Sequence, residues 1–301
     1  MSGGALAECV INISEGRDPS IIDAVGRAGG RAVLDIHSDP EHHRSVLTLG
    51  GPLDAVEAAA RLVVTSAVTL IDLRNHEGAH PRFGAADVVP FVPLSRSDPG
   101  SRSETSSADG GLGVDVLEAR NRFARWAGAE LALPCFLYGP ERSLPEVRRL
   151  AFHPLAPDTG PPKPHPTAGA SAVGIRDLLV AYNVWITATD DGEPGGKRHE
   201  ALSVARALAR QLRTPTRRSL GLPVGPGAQV SFNLIDPSAA RVADLYDAVA
   251  TGAASRGCSV LRAELVGLVP AAVLHQVPSR RWAELDLDPD RTIEGLIAEA
   301  W

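Results

Sequence analysis

Cysteine is scarce in this chain of 301 residues: Cys9, Cys135 and Cys258 are odd in number and far apart. That excludes a disulfide framework and a Cys-x-x-Cys metal site, and it favours a reducing compartment. Aromatic residues make up only 4%, so the core must be built from Val, Leu, Ala and Ile. The longest apolar-rich stretch, ARLVVTSAVTLIDL, includes an arginine and an aspartate and falls short of the roughly 20 residues that a membrane helix needs. The amino terminus, MSGGALAECV, lacks the basic-then-apolar pattern of a secretory signal. A cytoplasmic protein with no membrane partner is therefore expected. No Lys/Arg run exceeds the pairs Arg217-Arg218 and Arg280-Arg281, and the net charge is -6. An electrostatic footprint for nucleic acid is missing, and any anionic ligand must be met by local arginines.

What is present is ordinary for a globular protein: 44% hydrophobic and 22% charged residues, with 24 prolines as punctuation. The length suits two domains of ~150 residues. In the first half AECVINISE, RAVLDIHSD and RSVLTLGG are β-rich runs. DPSIIDAVGRAGG reads as a helix with Asp18 as N-cap, Pro19 at the first helical position and glycines as the stop. GPLDAVEAAARLVVTSAVTLIDL and GVDVLEARNRFARWAGAELALP carry helical spacing. ADVVPFVPL reads as a strand whose Pro90 and Pro93 predict an edge or a bulge.

Residues 152–170 hold six prolines and no periodicity, which reads as an interdomain linker. The second half repeats the order: DLLVAYNVWITA, HEALSVARALARQLR, SLGLPV, AQVSFNLID, SAARVADLYDAVATGAASRG and SVLRAELVGLV. The expectation is an α+β fold of two tandem ferredoxin-like (βαββαβ) subdomains, 1–165 and 166–301. Helices cover one face of each sheet, and a ligand tunnel runs between the two.

Four segments carry candidate chemistry. HEGAHPRFGAADVVPF, residues 76–91, sets His76, His80 and Arg82 around glycines, and Pro81 confines His80 to extended backbone. By composition alone the solvated loop is the better reading of this stretch. SDPEHHRSVLTLGG places His42, His43 and Arg44 before a strand. Adjacent histidines on extended backbone point apart, so a shared metal is not expected, while Arg44 suits an anion. HPTAGASAVGIRDLLVAYN brings Arg176 and Asn183 together with small residues, either as a binding segment or as a tight joint. TDDGEPGGK matches neither a phosphate loop nor an EF-hand and reads as a surface turn.

Taken in order, ECVINISEGR, HEGAHPRFGAADV, HPTAGASAVGIRDLLVAYNV, AQVSFNLID and ELVGLVP resemble the glutamate formiminotransferases, the folate-dependent domain of formiminotransferase-cyclodeaminase and its free-standing bacterial relatives. The resemblance spans roughly residues 7 to 275, and the cyclodeaminase portion is expected to be absent. It implies a homodimer, tetrahydrofolate as co-substrate, no metal, and transfer of a formimino group from N-formiminoglutamate to N5 of tetrahydrofolate in histidine degradation. It places His80 at the catalytic histidine position, where an imidazole can take a proton from N5 and return one to the leaving nitrogen. Arg44, Arg82 and Arg176 become candidates for the substrate carboxylates, and Asn12, Asp35, Asp87 and Asn183 for polar edges of the pterin or for orienting His80. Four positions depart from the family pattern: Ile11 stands for proline, His43 for asparagine, Ala79 for glutamate, and Trp185 for a residue that is often polar. These departures keep two other readings open, transfer of a formimino or formyl group between folate and a different amine, and a folate-binding protein without catalysis.

Overall fold

The computed structural model describes residues 5–77, 82–94, 110–189, 194–237, 239 and 241–301. The chain divides into two compact units. One holds the residues up to Arg96, then Ser103–Asp177, and takes back Ile297–Trp301; the other holds Leu178–Leu296.

The first unit begins β1 (Leu6–Ile13), α1 (Pro19–Ala28), β2 (Val33–Asp39), β3 (Arg44–Pro52), α2 (Leu53–Leu70) and β4 (Ala86–Leu94). These strands stand in the order β2-β3-β1-β4, with β1 antiparallel to both neighbours. A ferredoxin-like βαββαβ unit is thus present, as expected. The chain then adds α3 (Gly110–Glu130), β5 (Cys135–Tyr138), α4 (Leu144–Leu150) and β6 (Ser171–Ile175), and β6 and β5 extend the sheet in parallel beyond β4.

Local chemistry accounts for the element boundaries. Asp18 accepts from the backbone N–H of Ser20 at 2.9 Å and Pro19 opens α1, the expected cap. Ser143 and Glu146 form a reciprocal capping box that starts α4. One apolar core joins Ile11, Leu47, Val89 and Phe91 of the sheet to Val56 and Val63 of α2 and Phe123 of α3. On the opposite face a smaller cluster of Val88, Phe136, Tyr138 and Ala172 packs on Val147 of α4. Helices on one face alone therefore fails for this sheet from β4 outward, where Val88 joins the cluster under α4.

Two readings of this unit are corrected. β4 is an interior strand between β1 and β6, with every residue buried, so it is not an edge. The bulge does exist: Asn12 pairs with Val88 and Ile13 with Ala86, which leaves Asp87 as the extra residue. Residues 152–170 are not an interdomain linker. They lie inside the first unit and carry the chain from α4 to β6, touching the fold at Cys135↔Thr159 and Gly84↔Gly169. Proline-rich sequence here makes a pinned crossover, and the units divide at Asp177/Leu178 rather than at 165/166.

The second unit runs β7 (Val180–Ala188), α5 (Pro194–Gln211), β8 (Arg217–Val224), β9 (Gly227–Leu234), α6 (Val242–Ala254) and β10 (Cys258–Val266), in the order β10-β7-β9-β8. This is the same ferredoxin-like order as the first. Tyr182, Val184, Val230, Phe232 and Leu265 form its core with Leu208 of α5 and Val249 of α6. Two further helices, α7 (Ala271–Leu274) and α8 (Ile293–Ala300), follow. Of the TDDGEPGGK turn, residues 190–193 lie outside the described residues, and α5 opens at Pro194.

Candidate functional site

Side chains alternate along a strand, and Cys9, Ile11 and Ile13 enter the helix-side core, so Glu8, Val10 and Asn12 face the other way. By the same alternation Arg44, Val46 and Thr48 of β3 share that face, with Asp35 of β2 opposite Thr48. The face is polar although Glu8, Asn12 and Thr48 are buried. Arg44 donates from its guanidinium to Asn12 Oδ1. Burial pulls the Arg44 pKa down to about 10; the Asp87 carboxylate works against this, and the charges of Arg148 and Arg82 add to it. Three guanidiniums and one carboxylate therefore share one field, which leaves the cluster net positive.

Asp87, 2% exposed, uses both oxygens on protein donors. The Phe83 N–H donates to Oδ1 at 2.9 Å, and Arg148 Nη2 to Oδ2 at 2.6 Å. Its work is to fix the segment that re-enters β4 and to hold Arg148, which also lies over the Phe83 ring at 5.9 Å. Gly84 makes this re-entry possible, because any Cβ there would collide with the Ala170 carbonyl.

A histidine cluster adjoins the cations. His43 has a positive φ of 49°, at the hairpin between β2 and β3. Its Nε2 lies 3.0 Å from Glu15 Oε1, and its Nδ1 lies 2.9 Å from the Glu77 carbonyl oxygen. The His43 and His76 rings stack with centroids 3.9 Å apart. His76 Nε2 faces the His43 carbonyl at 3.0 Å, while Arg82 donates to His76 Nδ1 and, at 3.3 Å, to the His42 carbonyl. This pattern assigns His76 the tautomer protonated on Nε2. Burial, Arg82 and then His43 push the His76 pKa down, against the bond to the His43 carbonyl, so the neutral ring is favoured. His42 is buried with Nδ1 2.5 Å from Asp39 Oδ2.

Glu15 organises the turn after β1. Its Oε1 accepts from the backbone of Gly16, Arg17 and Asp18 at 2.9, 2.7 and 3.0 Å, as well as meeting His43. Burial alone would raise its pKa; the N–H groups of Arg17 and Asp18 and the His43 ring outweigh that and hold the carboxyl below its usual value. Gly16 is required because a side chain there would strike the Asp39 carbonyl and the Arg44 backbone, which lie against the turn.

The structure thus brings together Asn12, Arg44, Arg82 and Asp87 of the expected residues. Asp35 is half-buried on the same face. Arg176 directly follows β6, donates from its backbone N–H to the Phe91 carbonyl at 3.2 Å and from its side chain to the Asp177 carbonyl at 2.8 Å. Asn183 belongs to the second unit, where it donates to Glu264 Oε2 at 3.0 Å. Trp185 Nε1 donates to the same oxygen at 2.9 Å, and Arg262 lies over the Trp185 ring at 4.2 Å. Residues 78–81, which include Ala79 and His80, lie outside the described residues.

Sequence reading missed Glu15 and Arg148 as members of the cluster, and it noted His43 only beside His42 and as a departure from the family pattern. The available signal for Glu15 was an acidic residue three positions before the helix cap Asp18; Arg148 had none, since its partner is far away in sequence. Among the described residues no group of three or more His, Cys, Asp or Glu side chains is arranged to hold a metal ion, and no helix is long and apolar enough to cross a membrane.

Comparison with known proteins converges on one family. The profile described as "Formiminotransferase domain, N-terminal subdomain" matches residues 6–176. A glutamate formimidoyltransferase of Thermoplasma acidophilum is 35% identical over 294 residues, covering 91% of each chain. One from Streptococcus pyogenes serotype M1 is 33% identical over 291 residues, or 90% of this chain and 91% of its own. The formimidoyltransferase-cyclodeaminase of Sus scrofa is 32% identical over 299 residues, and the match spans 51% of that longer protein.

Proposed function

Because the chain belongs to the formiminotransferase family, we propose that it moves a formimino group from N-formiminoglutamate to N5 of tetrahydrofolate and releases glutamate. The carrying observation is that relatives named glutamate formimidoyltransferase align over nine-tenths of both chains. The polar, cation-rich face of the first sheet supports the reading. Both substrates end in glutamate carboxylates, and Arg44, held by Asn12, together with Arg82, steered by His76, offers planar donors to such groups.

The chemistry needs one proton carrier. The N5 lone pair attacks the formimino carbon and forms the new C–N bond; N5 gives its proton to His80. Collapse of the tetrahedral intermediate breaks the bond to the glutamate nitrogen, which takes the proton back from His80 as it leaves. An imidazole with a pKa of about 6.5 serves both directions near neutral pH. In this scheme Arg176 and Asp35 are further contacts for carboxylate and pterin edges. Asp87 serves by fixing the Phe83 end of the loop, and Asn183 by holding Glu264. The same reading makes the chain a cytoplasmic homodimer acting in histidine degradation and one-carbon metabolism, with tetrahydrofolate as co-substrate and no metal.

Purified protein incubated with N-formiminoglutamate and tetrahydrofolate should yield 5-formimino-tetrahydrofolate and glutamate, and His80→Ala should lower kcat by roughly a hundredfold or more. Wild-type protein that binds tetrahydrofolate but yields no product would point to the non-catalytic reading. Product from a different formimino amine alone would point to the other.

A further inference from the structure

His43 is the cluster member that neither the fold nor the reaction scheme explains. It occupies a left-handed backbone conformation, φ 49°, which asparagine and glycine adopt more readily than most residues. Asparagine is the residue that the resembling family carries here. A ring at such a position must repay its place by what it touches, and it touches three things. Nε2 meets the Glu15 carboxylate at 3.0 Å, Nδ1 meets the Glu77 carbonyl at 2.9 Å, and the ring face stacks on His76 at 3.9 Å. Glu15 is itself immobilised by three backbone N–H groups of the turn that starts α1. His76 in turn accepts from Arg82.

We infer that His43 is a positioning residue, a rigid bracket that ties the residues flanking 78–81 to the β1–α1 turn. The path runs Glu15, His43, then by carbonyl to Glu77 and by ring stack to His76 and Arg82. Each link uses a described contact, and the bracket closes on both sides of the segment, at Glu77 and at Arg82. Both ring nitrogens of His43 face acceptors, so the two bonds are made together only when each carries a hydrogen. An asparagine at 43 is shorter and has no face to stack; it keeps the backbone conformation but not the bracket. The charged and titratable groups around the ring are Glu15 from the turn after β1, His76 and Arg82 from the loop, and His42, Asp39 and Arg44 from its own hairpin. Because catalysis depends on sub-ångström placement of the groups that act, the bracket should be felt in turnover more than in substrate binding.

This inference rests on the formiminotransferase reading only for its kinetic readout. The variant of choice is His43→Gly, which removes the ring and suits the left-handed backbone, so folding is spared; His43→Asn is the second. In the formiminoglutamate assay, His43→Gly is expected to lower kcat by roughly tenfold or more while KM for both substrates stays within about threefold, with the protein still folded and only modestly lowered in melting temperature. Amide exchange in the segment Leu73–Glu77 should speed up in the same variant. His43→Asn should fall between it and wild type. Turnover within about twofold of wild type in His43→Gly, or exchange unchanged there, would overturn the bracket. If the wild-type protein turns over no formiminoglutamate, the family reaction fails for this chain, and the exchange measurement alone still decides the bracket.

Discussion

The two units share one strand order, yet the same strand position serves opposite charges in them. Asn12 on β1 and Asn183 on β7 each sit on the first strand of a βαββαβ unit, on the face turned away from its main core. Asn12 accepts from Arg44 on β3, whereas Asn183 donates to Glu264 on β10. An amide can do either, and the neighbour decides. The first unit surrounds its asparagine with Arg44, Arg82 and Arg148 and with histidines; the second surrounds its own with Glu264, which also accepts from Trp185 and Arg262. Topology therefore builds the platform twice, and side chains gather the cations on the first.

The comparison breaks most sharply at Asp87, the bulged residue of β4: the bulge that β10 makes against β7 has the exposed Leu261 in that place, so the second unit has no carboxylate there. Asp87→Ala would leave the Phe83 N–H without its side-chain acceptor and Arg148 without its carboxylate in a nearly closed setting. The expected cost is about 3 kcal/mol of stability, read as a drop of several degrees in calorimetric melting and accompanied by loss of turnover. Asp87→Asn, which keeps an acceptor for Phe83, should lose less. Equal losses in the two variants would show that the charge on Asp87 does not matter.

Acid titration sharpens the contrast from another side. Burial would raise the Asp39 pKa, but the His42 side chain and its backbone N–H overcome this and hold it down to about 2. A carboxyl depressed from 3.8 in this way contributes stability that is fully present above about pH 4 and disappears as pH falls toward 2. The gap corresponds to about 2 kcal/mol. Stability measured by urea unfolding across this window should decline more steeply in wild type than in Asp39→Asn. Parallel curves would remove the Asp39–His42 pair from the account.

Much of the architecture was legible in local sequence. Asp18-Pro19 announced α1 with its cap, and two runs of alternating strands and helices announced both βαββαβ units. What was not legible depends on partners distant along the chain. Pro90 and Pro93 argued locally for an edge strand or a bulge; the bulge is there, but the edge is not, because β6 arrives some eighty residues later to cover β4. The six prolines of 152–170 look like a linker until their contacts with Cys135 and Gly84 are known. The cluster was legible in part. Arg44, Arg82 and Asn12 stand in readable motifs, whereas the links from Glu15 to His43 and from Asp87 to Arg148 join segments 28 and 61 positions apart. The last five residues return to the first unit, where Trp301 donates to the Gly50 carbonyl at 3.0 Å and stacks under Arg31 at 3.8 Å. No periodicity in the sequence signals that return.

The smallest effect is the most discriminating between the two asparagines. Asn183→Ala removes one of the donors to Glu264, whose carboxylate keeps Trp185 and Arg262; the cost is about 1 kcal/mol of stability with substrate KM unchanged. Asn12→Ala costs a similar amount, about 1 kcal/mol, but it also frees the Arg44 guanidinium from its fixed acceptor, so KM for the carboxylate-bearing substrates should rise by roughly three- to tenfold. Steady-state kinetics on the two variants separate the cases. If both asparagines lower stability alike and neither moves KM, Arg44 does not meet a substrate carboxylate, and the polar face of the first sheet is structural in the same sense as that of the second.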